Sequence, residues 1–111
     1  MFKIYAPHIS FLTLLLLVSC ATKPQSDVDT PEYHFKAGMR AIDNEDYQQS
    51  ISSFQRSVDL DSKFALGYGG LGLANAYLKN NKNAKDFASK CASRGSKDPD
   101  ALSLSARVWI T

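Results

Sequence analysis

The chain matches itself when it is shifted by 34 residues. His34 then meets Tyr68, Ala37 meets Leu71 and Gly38 meets Gly72, while Ser50 meets Ala84, Ser57 meets Cys91 and Ser62 meets Ser96. Small residues fall on small residues and a ring falls on a ring. A fixed period of this length means repeated supersecondary units, none of which can bury its apolar face alone. The chain is therefore constrained to an array in which each unit is covered by its neighbours.

Within each period the apolar residues recur at helical steps. Thr30-Pro31 supplies a capping hydroxyl followed by proline where a helix needs no N–H, and Phe35, Gly38, Met39 and Ile42 follow at three- and four-residue intervals. This helix is expected to stop around Asn44-Glu45. A second starts near Asp46 and carries Tyr47, Ile51, Phe54 and Val58 as far as the Asp61-Ser62 turn. A third runs from about Phe64 to Lys79 and a fourth from about Lys82 to Arg94, ending at Gly95. Asp98-Pro99 repeats the cap-then-proline start and opens a fifth helix. Five helices joined by short turns predict an all-α chain. Gly67, Gly69, Gly70 and Gly72 crowd the third helix. Each interior glycine costs up to about 1 kcal/mol relative to alanine, so a neighbouring helix must come close here. A phosphate-cradling loop does not fit, because no strand precedes the glycines and no Lys-Ser/Thr pair follows them.

A 34-residue period of helical hairpins resembles the tetratricopeptide repeat. The resemblance implies a right-handed solenoid of about two hairpins plus a C-terminal helix. Unit 1 spans residues 31–62, with Gly38, Tyr47 and the small–aromatic–small spacing of Ser50, Phe54 and Ser57. Unit 2 spans residues 63–98 and is degenerate. Tyr68, Leu71, Gly72, Ala84 and Cys91 fit, but Asn75 and Asn81 replace rings, and Ala88 stands where a large ring is usual. Residues 99–111 read as a capping helix or the first helix of a truncated third unit. About three units are normally needed for stability. So short an array is expected to be weakly stable, or to pair with itself or a partner.

Ahead of the repeats, Lys3 precedes an apolar run from Ile9 to Val18. The run is too short to cross a bilayer as a helix, which takes roughly 20 residues. Leu17-Val18-Ser19-Cys20 closes it and resembles a bacterial lipobox. That resemblance implies a signal peptide over residues 1–19, cleavage before Cys20 and diacylglycerol on the Cys20 thiol. By further resemblance to enteric lipoproteins, Ala21 and Thr22 direct the chain to the outer membrane, facing the periplasm. Residues 20–30 then form the lipidated end and a flexible linker, polar throughout and broken by Pro24. As a coil, its ten residues after Cys20 span about 17 Å. Cys91 has no cysteine to pair with and is expected on an inward face.

Charge is divided along the chain. Asp27–Asp61 holds eight acids and three bases, and Ser62–Thr111 holds eight bases and three acids. Lys79, Lys82, Lys85, Lys90, Arg94 and Lys97 form a basic face that could meet anionic glycan, lipid or protein, or simply be solvated. Nucleic acid is not expected for an exported chain without a nucleic-acid-binding motif. No catalytic constellation is visible. His34 is the one histidine after the signal segment, and it takes a position usually aromatic in tetratricopeptide units, which implies packing. Asp43, Glu45 and Asp46 lack an EF-hand pattern and read as a solvated turn. No metal, cofactor or enzymatic activity is expected.

Function then falls to a surface. In tetratricopeptide proteins the first helix of each hairpin lines a groove that grips a peptide. Carried over by position, this implies Glu32, Phe35, Met39 and Ile42 from one unit, and Leu66, Leu73, Ala76 and Tyr77 from the next. The expectation is an adaptor anchored in the bacterial envelope that holds a peptide or amphipathic helix of a partner, as small tetratricopeptide lipoproteins do in pilus and secretion-system assembly. The alternative is an adaptor for cell-wall enzymes or glycan through the basic half. Mass spectrometry of the protein from native membranes is expected to find an amino-terminal peptide that begins at Cys20 and carries diacylglycerol. An unmodified Cys20 thiol contradicts that processing.

Overall fold

The computed structural model describes residues 28–111, so the signal segment 1–19, the lipidation of Cys20 and the linker through Asp27 lie outside the described residues. Five helices follow in order: α1 (Pro31–Asp43), α2 (Tyr47–Leu60), α3 (Ala65–Tyr77), α4 (Asn81–Arg94) and α5 (Pro99–Ile110). No strand occurs among the described residues. The chain is all-α.

The helix starts have local causes. Thr30 Oγ1 accepts from the Tyr33 N–H at 3.2 Å, Asp46 Oδ1 from Gln49 at 3.1 Å and Asp98 Oδ1 from Asp100 at 3.0 Å. Each supplies an acceptor to an N–H that the helix itself leaves open. Pro31 and Pro99 occupy the first positions of α1 and α5. The helix stops recur at the same 34-residue offset as the sequence. Glu45 and Lys79 both lie in the left-handed region, at φ 59° and 62°. Around Glu45, its own N–H donates to Ile42 O and that of Asp46 to Ala41 O. Around Lys79, the equivalent N–H groups of Lys79 and Asn80 donate to Ala76 O and Asn75 O, with all four bonds between 2.9 and 3.0 Å. This is the Schellman closure, built twice on residues other than glycine.

Each helix packs on the next, and α3 also touches both α1 and α5, whereas α2 and α4 do not meet. The odd-numbered helices thus lie side by side, and the even-numbered ones brace them from behind. The central helix α3 is buried at ten of its thirteen positions. That explains its glycines. A Cβ on Gly69 would lie 2.6 Å from the Leu104 side chain of α5, and one on Gly67 would lie 2.6 Å from Val58 of α2. The fully buried Phe54 ring of α2 presses on Gly38 of α1 and Gly70 of α3 together. In the second hairpin Ala88 occupies the position equivalent to Phe54, and the helices close up without a ring. A Cβ on Gly72 would lie 3.1 Å from the Ala84 carbonyl oxygen and 3.3 Å from the Ala88 nitrogen. The absent ring is therefore matched by backbone contact.

The core is satisfied in polar terms. Asn75 Nδ2 donates to Leu71 O at 2.7 Å, Ser57 Oγ to Pro31 O at 2.9 Å and Ser105 Oγ to Ala88 O at 2.9 Å. Among the described residues no buried side-chain nitrogen or oxygen lacks a partner. Cys91 is fully buried, and burial pushes its thiol up to about 11.

Replacing an interior helical glycine by alanine ordinarily stabilises by up to about 1 kcal/mol. Gly70→Ala is expected to reverse that sign and cost about 1–3 kcal/mol in urea unfolding, since the buried Phe54 ring has nowhere to retreat. A stabilised variant contradicts the packing.

Candidate functional site

Because α1, α3 and α5 lie side by side, their outward turns share one face. An open pocket of about 260 Å³ lies there, lined by Phe35 of α1, Leu66 of α3, and Asp100, Ser103, Leu104 and Arg107 of α5. Phe35 is held from below by Phe54, at 5.7 Å between ring centroids, and from the side by Phe64, edge-on at 6.0 Å. The pocket wall is therefore continuous with the core. Leu66 and Leu104 complete an apolar floor. Asp100 in the first turn of α5 and Arg107 in its last turn place opposite charges at the two ends, two helical turns apart.

Of the eight residues assigned to a groove by position, Phe35 and Leu66 line this pocket. Glu32 is exposed and Met39 half-buried on the same helix as Phe35. Ile42 and Leu73 are buried in the core, and Ala76, buried as well, borders a different opening, so none of the three lines this pocket. Helical periodicity marks them as apolar but does not say which neighbour covers them. Tyr77 stacks flat on Tyr47 of α2, with ring centroids 5.0 Å apart, and is committed to the α2–α3 contact. The α5 wall was missed in the sequence, although a signal for it exists. Thr30-Pro31-Glu32 and Asp98-Pro99-Asp100 stand 68 residues apart, twice the period. On that register Asp100, Ser103 and Arg107 are the equivalents of Glu32, Phe35 and Met39. Trp109 does not cover the pocket. It lies with Ala76, Ala84, Lys85 and Val108 around a second opening.

The six basic residues are all exposed but do not converge on one site. Lys90 Nζ lies 5.9 Å from the Tyr68 ring centre and 5.5 Å from that of Phe87, and the Arg94 guanidinium sits 4.5 Å from the Tyr68 ring. Arg94 Nε and the Tyr68 hydroxyl both donate to Ser62 O at 3.0 Å, closing the α2–α3 turn. Lys85 lies over Trp109 at 5.8 Å. Half of the cluster thus covers aromatic surface. Lys79, Lys82 and Lys97 extend from turns and the start of α4.

At the other end of the array Asp29, within the stretch read as linker, is tied to the folded domain. Its carboxylate accepts from both Arg56 nitrogens Nε and Nη2 and lies 2.7 Å from His34 Nε2. His34 also packs edge-on against Tyr33 at 5.3 Å. The chain is therefore clamped across α1 and α2 two residues before α1 begins. Asp43, Glu45 and Asp46 are exposed in the α1–α2 turn, where Asp46 serves as a helix cap. Among the described residues no group of three or more His, Cys, Asp or Glu could hold a metal ion, and no helix is long and apolar enough to cross a membrane. Set against known protein families, curated proteins and solved structures, the chain matches none of them.

The bond to Arg56, and secondarily that to His34, holds the Asp29 carboxyl below the usual carboxylate range. A carboxylate depressed in the folded state contributes stability that is present above its unfolded pKa and is lost as pH falls through the folded value. The clamp is expected to persist at pH 5 and to open only under stronger acid. NMR titration of Asp29 should give a midpoint below that of an ordinary aspartate, and Arg56→Ala should move it upward. An unchanged midpoint contradicts the clamp.

Proposed function

We propose that this chain is a lipid-anchored, non-catalytic adaptor of the bacterial envelope, built as a short right-handed tetratricopeptide-like solenoid. Its α1/α3/α5 face holds an extended or helical segment of a protein partner. The lipobox-like amino terminus supports the anchor. The duplicated Schellman closures, 34 residues apart, support the repeat. The observation that carries the adaptor reading is the pocket itself, which collects equivalent positions of α1 and α5 around Leu66 and Leu104. An apolar floor suits one or two anchoring side chains, and the opposed charges of Asp100 and Arg107 suit a segment charged in the reverse order. Assembly of a pilus or a secretion machine is a setting in which such an adaptor serves. The glycan-directed alternative has less support, since Lys85, Lys90 and Arg94 lie against aromatic rings.

Crosslinking in native membranes, followed by capture on the tagged chain, tests the reading. Ser103 is exposed, so Ser103→Trp fills the pocket without disturbing the core. It is expected to reduce capture of the partner at least tenfold, a loss of about 1.4 kcal/mol. Lys82→Glu and moderate salt should leave capture largely intact, because Lys82 lies outside the pocket and its apolar floor, more than the charges of Asp100 and Arg107, anchors the partner. Capture that survives Ser103→Trp, or that disappears with salt or Lys82→Glu, contradicts the groove.

A further inference from the structure

Two charges on the rim of the pocket have no role inside the fold. Asp100 and Arg107 line it from α5, both exposed and opposite in sign. Among the described residues the side-chain ion pairs are those that Asp29 makes with Arg56 and His34, so neither rim charge is matched. Nor does Arg107 lie over an aromatic ring, as Lys85, Lys90 and Arg94 do. The α1 wall contributes Phe35 and the α3 wall Leu66, so α5 alone charges the rim. Ser103 and Leu104 stand between the two charges, three and four residues after Asp100, and Leu104 belongs to the apolar floor. The opening of about 260 Å³ is smaller than the roughly 300–1,000 Å³ of small-molecule clefts and suits a protein side chain.

We propose that the partner segment is a short α-helix running antiparallel to α5. It sets an acidic residue against Arg107, a basic residue seven positions later against Asp100, and one large apolar side chain midway, over Leu66 and Leu104. This rests on the adaptor reading and specifies its partner. The spacing selects a helix. Asp100 and Arg107 lie seven residues apart on one helix, about 10.5 Å along its axis. A partner helix repeats that distance, because its residues i and i+7 also share a face, with i+3 and i+4 between them. An extended segment does not, since residues on one side recur at about 6.7 and 13.4 Å. The helix dipole selects the direction. An antiparallel partner brings its first turn to Arg107 and its last to Asp100, so the acid and the base that pair with α5 also stand at the ends of the partner helix that favour them. A parallel helix needs a base in its first turn and an acid in its last, against its own dipole. Exposed charge pairs of this kind set order and direction more than affinity, which the apolar floor supplies.

The test uses the full chain in detergent, with synthetic helical peptides as probes. One alanine-based peptide carries Glu, then Trp four residues later and Lys three further on. A second has Gln in place of both Glu and Lys. The wild type is expected to bind the charged peptide at least about fivefold more tightly at low salt, and the difference should fade as salt rises. Asp100→Asn combined with Arg107→Gln changes two exposed sites, so it should keep the wild-type helicity and bind the two peptides alike. A nitroxide on the amino end of the charged peptide should broaden the amide signals of Arg107 and Val108 and spare those of Asp100 and Ala101. Equal affinity of the wild type for the two peptides overturns the proposal, as does no affinity for either, or broadening at Asp100 in place of Arg107. The adaptor reading fails separately. Partner capture that survives Ser103→Trp removes the groove itself, whereas capture lost with Ser103→Trp, beside peptides that the wild type does not distinguish, removes only the helix and its direction.

Discussion

The Phe54 ring joins three helices at once. It projects from α2 into the gap left by Gly38 on α1 and Gly70 on α3, and it is fully buried there. Two glycines in helix interiors are costly in the abstract. Here they form a slot that an aromatic ring fills, and the ring's burial offsets that cost. The remaining arrangement follows. Once α1, α2 and α3 are locked, α4 docks on Gly72 through Ala84 and Ala88, and α5 lays Leu104 against Gly69 beside Cys91 of α4. Phe35 leans on the same ring at 5.7 Å, so the pocket wall takes its position from the core.

Most element boundaries were legible because their causes are local. Thr30, Asp46 and Asp98 cap helices by reaching two or three residues along the chain, and proline marks two of those starts. The glycines of α3 were legible as close contacts, since nothing else justifies four of them in one helix. What sequence could not supply was the identity of each neighbour. Ile42, Leu73 and Ala76 occupy positions that a positional carry-over assigns to a groove, yet they are covered, because periodicity reports an apolar face and not its partner. Asn75 reads as a lost ring. In the helix it bonds to Leu71 O one turn back, a local contact that substitutes for packing. The pocket's α5 wall required the 68-residue register, which two short capping motifs carry and no apolar pattern announces.

The division of labour among the helices bears on function. Since α3 is enclosed by the four other helices, it supplies little surface of its own beyond Leu66. Specificity in the proposed groove therefore rests on α1 and α5, which supply the rest of its lining. The Asp29 clamp sets where the chain leaves this body, across α1 and α2 and away from α5. The basic residues contribute in a quieter way, since Lys90 and Arg94 shield Tyr68 and brace a turn.

A double-mutant cycle between positions 54 and 70 tests the central constraint most directly. The four proteins are the wild type, Phe54→Leu, Gly70→Ala and the pair, each followed by urea unfolding. Residues in contact couple by about 0.5–3 kcal/mol, and distant ones add within about 0.5 kcal/mol. If the ring fills the glycine slot, shrinking it relieves the added methyl, and the double variant should lose at least about 1 kcal/mol less than the sum of the single losses. Simple additivity would mean that Phe54 does not occupy the slot, and the packing of all three helices around it would have to be redrawn.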